Sequence, residues 1–424
     1  MRKKRLLLVF PTSWDRRQLG RCRAAWEERY DLIYAEPTDE DCAWNLDMVG
    51  YIDRMVDEYG GTIDGVFSSS DYPGATVAAA IATRLGLPGS PPHTIIGCSH
   101  KYYSRVAQQR AVPDATPHFA LVDPRRPDDP PDFDYPCFIK PVKGAFSVMA
   151  RRLDSRDELV AFLRRPTVLE FATEYMHLFN QLVGALTDFE VNGGYFLAES
   201  LLHGTQVTVE GYALDGRVEI VGIVDSIMHP GTGSFARFDY PSAMRSEIRE
   251  RMANIARRAI AGIGLDRAMF NIEMIYEPAR DTIRIIEINP RICGQFADLY
   301  QKVDGVNGYA IALALAAGDP VPGGTGRGEA AATSFPLRLF RPARVRRAPT
   351  AEDVAAAEAL YPGTLVWIEC EAEQELADFE RIEDGQSCRY GIVNVGGSSR
   401  AELLARLDAV TDRLGFAFED VAAS

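Results

Sequence analysis

Two carboxylates and a carboxamide are the groups in this sequence best placed to do chemistry. Glu273 lies in "MFNIEMIYE" and Glu287 and Asn289 in "TIRIIEIN", with "PARD" between the two runs. Read as an antiparallel hairpin about "EPARD", strands 270–276 and 283–289 in symmetric register set Glu273 opposite Glu287. Side chains alternate faces along a strand. Asn271, Glu273, Glu287 and Asn289 therefore share one face, and Ile272, Met274, Ile286 and Ile288 fill the other. Like charges directly opposite destabilise a sheet, so the pair needs a cation between its members, a shared proton or open solvent. Oxygen donors alone suit a hard cation, and Mg²⁺ is bound in this manner through one or two carboxylates plus substrate phosphates. The competing reading is the solvated face of an ordinary hairpin. Asn-Pro-Arg weighs against it, because Arg291 then stands just beyond the metal.

Positioning such a hairpin takes a large α/β scaffold. The chain has 424 residues, and at about 100–200 residues per domain it suggests roughly two to four domains. A net charge of −14 argues against a general nucleic-acid binder. Seven cysteines without CxxC or Cys/His spacing read as reduced thiols in a cytoplasmic protein. The run "LLLVF" after "MRKKR" is too short for a signal peptide's apolar region or a membrane span.

Residues 1–98 alternate buried strands ("RLLLVF", "YDLIYAE", "IDGVFSSS") with helices near 15–28, 46–59 and 74–86, the pattern of an open parallel sheet. No GxGxxG follows the first strand. Residues 115–136, rich in Pro and Asp, read as irregular linker. Residues 137–163 give strand, loop, strand and helix, with a capping box at Ser155 and Glu158. From 195 the strands are denser, with an Asp215-Gly216 hairpin turn, helices near 241–263 and 305–317, and a linker at 318–328. The last residues give further strands and a helix opened by Ser399 and Glu402.

"NIE" followed by "IEINPR" and Gly294 resembles the metal-binding end of the ATP-grasp superfamily, which includes D-alanine–D-alanine ligase, biotin carboxylase and the L-amino-acid ligases. Four further segments resemble that family in chain order. "CFIKP" is similar to its strand lysine, "VKGAFSV" to its phosphate-covering loop, "SHKYYSRVAQQRAVPDATP" to its earlier lysine-bearing helix, and "AESLLHGTQVTVEGY" to its adenine hinge. The resemblance implies an α/β and α+β multidomain ATP-grasp fold. It would comprise a Rossmann-like parallel sheet over 1–98, a linking helix and small subdomain over 99–194, a large subdomain over 195–322, and a lid-like α+β region over 323–424.

The resemblance also assigns roles. Glu273, Glu287 and Asn289 would hold two Mg²⁺, with Mn²⁺ as a substitute, on the phosphates of ATP, and Arg291 would stabilise the acyl phosphate or the following intermediate. Lys140 and Lys101 would contact ATP, as would Lys143 and Ser147 on a loop degenerate in having one glycine and a bulky Phe146. Glu199, Ser200 and Leu202 would form the adenine hinge. The ribose-binding acid is replaced by Gln206, leaving Gln206 or Glu210 as partner. Arg237 and Gly294 are candidate substrate contacts, and His203 and His229 have no triad partners in context. The implied reaction joins a small carboxylate, of amino-acid type, to an amine through an acyl phosphate, with neither nucleic acid nor membrane as partner. The alternatives are a bicarbonate-activating carboxylase and a nucleotide-binding regulator. Homodimers are common in the family, but no dimer signature is legible.

Overall fold

The computed structural model describes residues 2–35, 46–144, 148–326, 328–377 and 386–421. Strands β1 (Lys4–Val9), β2 (Tyr30–Ala35) and β3 (Gly65–Phe67) form a parallel sheet in the order β2-β1-β3. Leu6, Leu7, Leu8 and Val9 are almost completely buried, as befits a sheet covered on both faces. The loop leaving β3 is tightly tied. Ser70 N–H donates to Ser68 Oγ (3.2 Å), Ser70 Oγ donates to the Tyr72 carbonyl (3.2 Å), and Ala75 N–H donates to the Ser70 carbonyl (2.9 Å).

A second sheet contains β4 (Phe119–Val122), β5 (Cys137–Pro141), β6 (Arg151–Leu153) and β7 (Phe196–Ser200) in the order β4-β7-β5-β6. β4 corrects the expectation of irregular chain over 115–136: four residues pair with the edge of β7 before Asp123 and Pro124 end the strand. So short an edge strand carries too little periodicity to stand out from its polar flanks. Helices Pro166–Glu170 and His177–Leu186 also belong to this region, joined by a π-helical turn at Phe171–Tyr175.

The largest sheet is antiparallel. It combines β8 (Thr205–Leu214), β9 (Arg217–Met228), β10 (Phe235–Tyr240), β11 (Ala268–Glu277) and β12 (Thr282–Asn289) with β13 (Ala331–Leu339), β15 (Leu365–Ile368) and β17 (Cys388–Gly397). Its order is β12-β11-β8-β9-β10-β13-β17-β15, so the C-terminal strands continue the sheet that carries the two acids. A small sheet of β14 (Ala343–Arg347), β16 (Glu375–Leu376) and β18 (Ala417–Asp420) lies beyond. Asp215 and Gly216 both have positive φ (51° and 75°), the backbone required of the two-residue β8–β9 turn. Ser155 and Ser399 cap their helices by accepting from Glu158 N–H and Glu402 N–H. The glutamates reach back one residue further than a capping box requires, to Asp154 N–H and Ser398 N–H.

The helix Gly308–Ala317, from far along the chain, packs on the parallel sheet and is buried throughout. It comes so close at Gly65 that an added Cβ would stand 2.1 Å from the Ala316 carbonyl oxygen. That oxygen belongs to backbone and cannot rotate away. Gly65→Ala should therefore cost about 1–3 kcal/mol by overpacking. A fall of several degrees in melting temperature checks this; an unchanged melting temperature would mean that the two elements shift apart freely.

Candidate active site

The hairpin has the expected register. Glu273 faces Glu287 and Asn271 faces Asn289. One detail differs. A bulge after Glu273 pairs Met274 with Ile285, so Ile283, Ile285 and Ile288 face the core while Ile286 is only partly buried. The extra residue shifts the alternation by one. It also presents the Ile286 carbonyl to Arg105 Nη2 (2.6 Å) and Lys140 Nζ (3.3 Å).

Burial and the neighbouring Glu287 charge push the Glu273 carboxyl up to about 8. Burial also opposes ionisation of Glu287, but Lys101 and Lys140 outweigh it, and Glu287 lies well below the usual carboxylate range. Each acid thus opposes the other's ionisation, and further positive charge between them would relieve that opposition. Asn289 Nδ2 donates to Glu287 Oε1 (3.2 Å), and Gln206 Nε2 donates to Glu273 Oε2 (2.9 Å). Among the described residues no three His, Cys, Asp or Glu side chains cluster as a metal site. The set here is two acids completed by an amide, all oxygen donors on one face, which fits a hard divalent ion.

The cations come from two other elements. The helix Lys101–Ala111 is fastened at its start by Lys101 N–H donating to the Val142 carbonyl (2.7 Å). Lys101 Nζ then lies 3.1 Å from Glu287 Oε2 and donates to the Gly144 carbonyl (3.1 Å). One turn on, Arg105 is fully buried. Its Nε meets Glu199 Oε1 at 2.6 Å, and Lys140 Nζ meets the other Glu199 oxygen at 2.7 Å. Glu199 therefore acts as the anchor that aims Lys140 from β5, rather than as a free group at the hinge. Asp71, Lys101, Arg105, Lys143, Glu287 and Asn289 line one pocket.

Arg291 follows a tight reversal in which its N–H donates to the Asn289 carbonyl (2.9 Å) around Pro290, and it lines the neighbouring pocket with Ser68, Met269 and Ile292. Its Nε stands 3.9 Å from Asp71 Oδ1. Lys143 Nζ donates to Asp71 Oδ2 (2.8 Å) and sits over the rings of Tyr72 and Phe179. Ser147 and Phe146 lie outside the described residues. Ser200 ends β7, and Leu202 lies in the irregular link to β8, between the second sheet and the largest one. Gly204 closes that link with φ +129°, where a Cβ would meet the Tyr276 carbonyl oxygen at 2.0 Å; no other residue type fits.

Three expected contacts are placed otherwise. Glu210 is wholly buried, accepting from Cys293 N–H (2.8 Å) and Tyr300 O–H (3.2 Å), so it has no face free for a ribose hydroxyl. It holds the Arg291–Gly294 segment instead. Arg237 Nε donates to Asp239 Oδ2 (2.8 Å) along its own strand. Gly294 opens a helix, accepts from Gln18 Nε2 (3.0 Å), and would clash with Trp14 and Tyr309 if it carried a Cβ. Asp71 and Arg105 escaped sequence reasoning. Asp71 follows the last strand of the parallel sheet, and loops at the carboxyl ends of such strands commonly carry ligand groups. Arg105 lies four residues after Lys101 on the same helix face.

Residues 133–298 match the family model described as ATP-grasp domain. A curated relative, the uncharacterized protein y4rH of Sinorhizobium fredii (strain NBRC 101917 / NGR234), is 25% identical over 299 residues. The match covers 68% of this chain and 56% of y4rH, so the chain spans little more than half the length of that relative. The L-amino acid ligase from Bacillus licheniformis has a similar structure, with a TM-score of 0.75 and 17% identity over 100% of both chains. The biotin carboxylase domain of 2-oxoglutarate carboxylase from Hydrogenobacter thermophilus, solved with MgADP, ADP and bicarbonate, has a TM-score of 0.65 and 14% identity. That match covers 99% of this chain and 92% of that one. No described helix is long and apolar enough to cross a membrane.

Burial pushes the Glu210 carboxyl up to about 8, so the folded protein holds a proton there that the unfolded chain releases near ordinary carboxylate pH. Its contribution to stability is greatest in acid and is lost as pH rises through about 8. Glu210→Gln, neutral at every pH, should gain in melting temperature relative to the unsubstituted protein between pH 6 and 8.5. Parallel melting curves across that range would refute the assignment.

Proposed function

From an ATP-grasp domain match and a hairpin whose Glu287, opposite Glu273, lines a pocket with Lys101, Lys143 and Arg105, we infer an ATP-dependent ligase that joins a carboxylate to an amine. The observation that carries this reading is the opposition of Glu273 and Glu287, with Asn289 beside them and Arg291 following two residues on. Such an arrangement is costly unless cations and an anionic ligand occupy it.

Magnesium held by Glu273, Glu287 and Asn289 would supply neutralisation of the nucleotide's phosphate charge. The chain's own groups do the rest. Lys140, aimed by Glu199 and Arg105, brings a fixed positive charge to the end of β5, and Lys101 brings a second one from its helix. Phosphoryl transfer depends mostly on such positioning and charge stabilisation. The link at 200–204, between β7 of one sheet and β8 of the other, would hold the adenine. A substrate carboxylate oxygen, oriented by Arg291, attacks the γ-phosphorus to give an acyl phosphate and ADP. The amine then attacks the acyl carbon, Arg291 steadies the oxyanion, and phosphate leaves as the C–N bond forms. Full-length similarity to an L-amino acid ligase supports substrates of amino-acid type. The bicarbonate in the biotin carboxylase domain supports the second reading, in which bicarbonate is the carboxylate activated.

ADP release measured with amino-acid mixtures, and separately with bicarbonate, distinguishes the two. Glu287→Gln should abolish substrate-dependent ADP release while the far-ultraviolet spectrum stays unchanged; retained turnover would remove the metal assignment. Arg291→Ala should keep MgATP binding by calorimetry but lower product formation about 10²-fold or more. An undiminished rate would take Arg291 out of the chemistry.

A further inference from the structure

Asp71 is an odd partner for Lys143. One carboxylate oxygen accepts the lysine's hydrogen bond at 2.8 Å, which suffices to neutralise it. The other, Oδ1, is buried and accepts no hydrogen bond; Arg291 Nε stands 3.9 Å away. Leaving a buried carboxylate oxygen without a donor is expensive. The loop that carries it is nevertheless fixed by the Ser68, Ser70 and Ala75 hydrogen bonds, and Gly74 packs so tightly that a Cβ would strike Ser68 Oγ. The position of Oδ1 is therefore built in.

An anion that lines the pocket of Glu287 and Asn289 and a cation 3.9 Å from it match a zwitterion. In an α-amino acid the ammonium nitrogen and the carboxylate oxygens are roughly 3 Å apart. Building on the ligase reading above, we propose that Asp71 is a specificity residue whose Oδ1 receives the ammonium group of an α-amino acid while Arg291 pairs with its carboxylate. The ammonium brings three donors and completes the unfilled acceptor. Bicarbonate or a carboxylic acid without the amino group leaves Oδ1 unpaired, which is how a site built for a hydrogen bond rejects a ligand that lacks it.

The test compares the unsubstituted protein with D71N, D71S and D71E. ADP release is measured with L-amino acids and with the corresponding des-amino acids, and MgATP binding by calorimetry. The unsubstituted protein should prefer amino acids. D71N and D71S should each raise the amino-acid KM about 10²-fold or more and narrow the preference over des-amino acids, with MgATP affinity unchanged. D71E, which keeps the charge, should recover part of the preference. Unchanged KM and preference in a folded D71N or D71S would make Asp71 only the counter-ion of Lys143, and the ligase reading would stand without it. Loss of MgATP binding in those variants would also overturn the proposal, since Asp71 would then act on the nucleotide through Lys143. A response of the unsubstituted protein to bicarbonate but not to amino acids would overturn this proposal together with the amino-acid ligase reading and favour the bicarbonate reading.

Discussion

Two carboxylates face each other across adjacent strands, and much of the molecule is arranged to make that tolerable. Glu273 and Glu287 sit on a sheet whose opposite face is packed with Ile272, Met274 and Ile288, so neither acid can swing into the core. Their repulsion is answered locally by Lys101 and, one step removed, by Lys140. Each of those lysines is itself constrained: Lys101 by the backbone bond that starts its helix, Lys140 by Glu199. The charges form two groups, Arg105–Glu199–Lys140 and Lys101–Glu287, joined through the field of Lys140 on Glu287, and every ion in them has a neighbour of opposite sign. Coulombic attraction in such a low-dielectric setting is strong, and so is the cost of removing any one member.

Those groups also span the sheets. Arg105 comes from the helix ahead of the second sheet, Glu199 and Lys140 from within that sheet, and Glu287 from the edge of the largest one. The Arg105 and Lys140 bonds to the Ile286 carbonyl exist because a bulge turns that carbonyl outward. A local irregularity of the strand thus aligns groups more than a hundred residues apart in sequence, which is a recurrent use of bulges beside functional clefts.

The hairpin register was readable because a two-residue period and a short turn allow few pairings, and the acids' opposition follows from counting. The strand lysine and the parallel N-terminal strands were legible for similar reasons, as continuous apolar runs with definite ends. The bulge was not, since nothing in "RIIEIN" announces an extra residue. Partners were not legible either. That Glu199 would grip Arg105 and Lys140, that Glu210 would turn away to hold Cys293, and that Lys143 would meet Asp71 all depend on long-range packing. A residue's type sets what it can do, but only the fold sets what it faces.

Strands β13, β17 and β15, drawn from the last quarter of the chain, finish the sheet that begins with the acid-bearing hairpin. This makes the C-terminal portion a poor candidate for a transferable cassette. Cutting the chain ahead of β13 would bare a row of amide and carbonyl groups along β10, a ready template for sticking to other molecules. Shuffling of parts among relatives should therefore respect this seam.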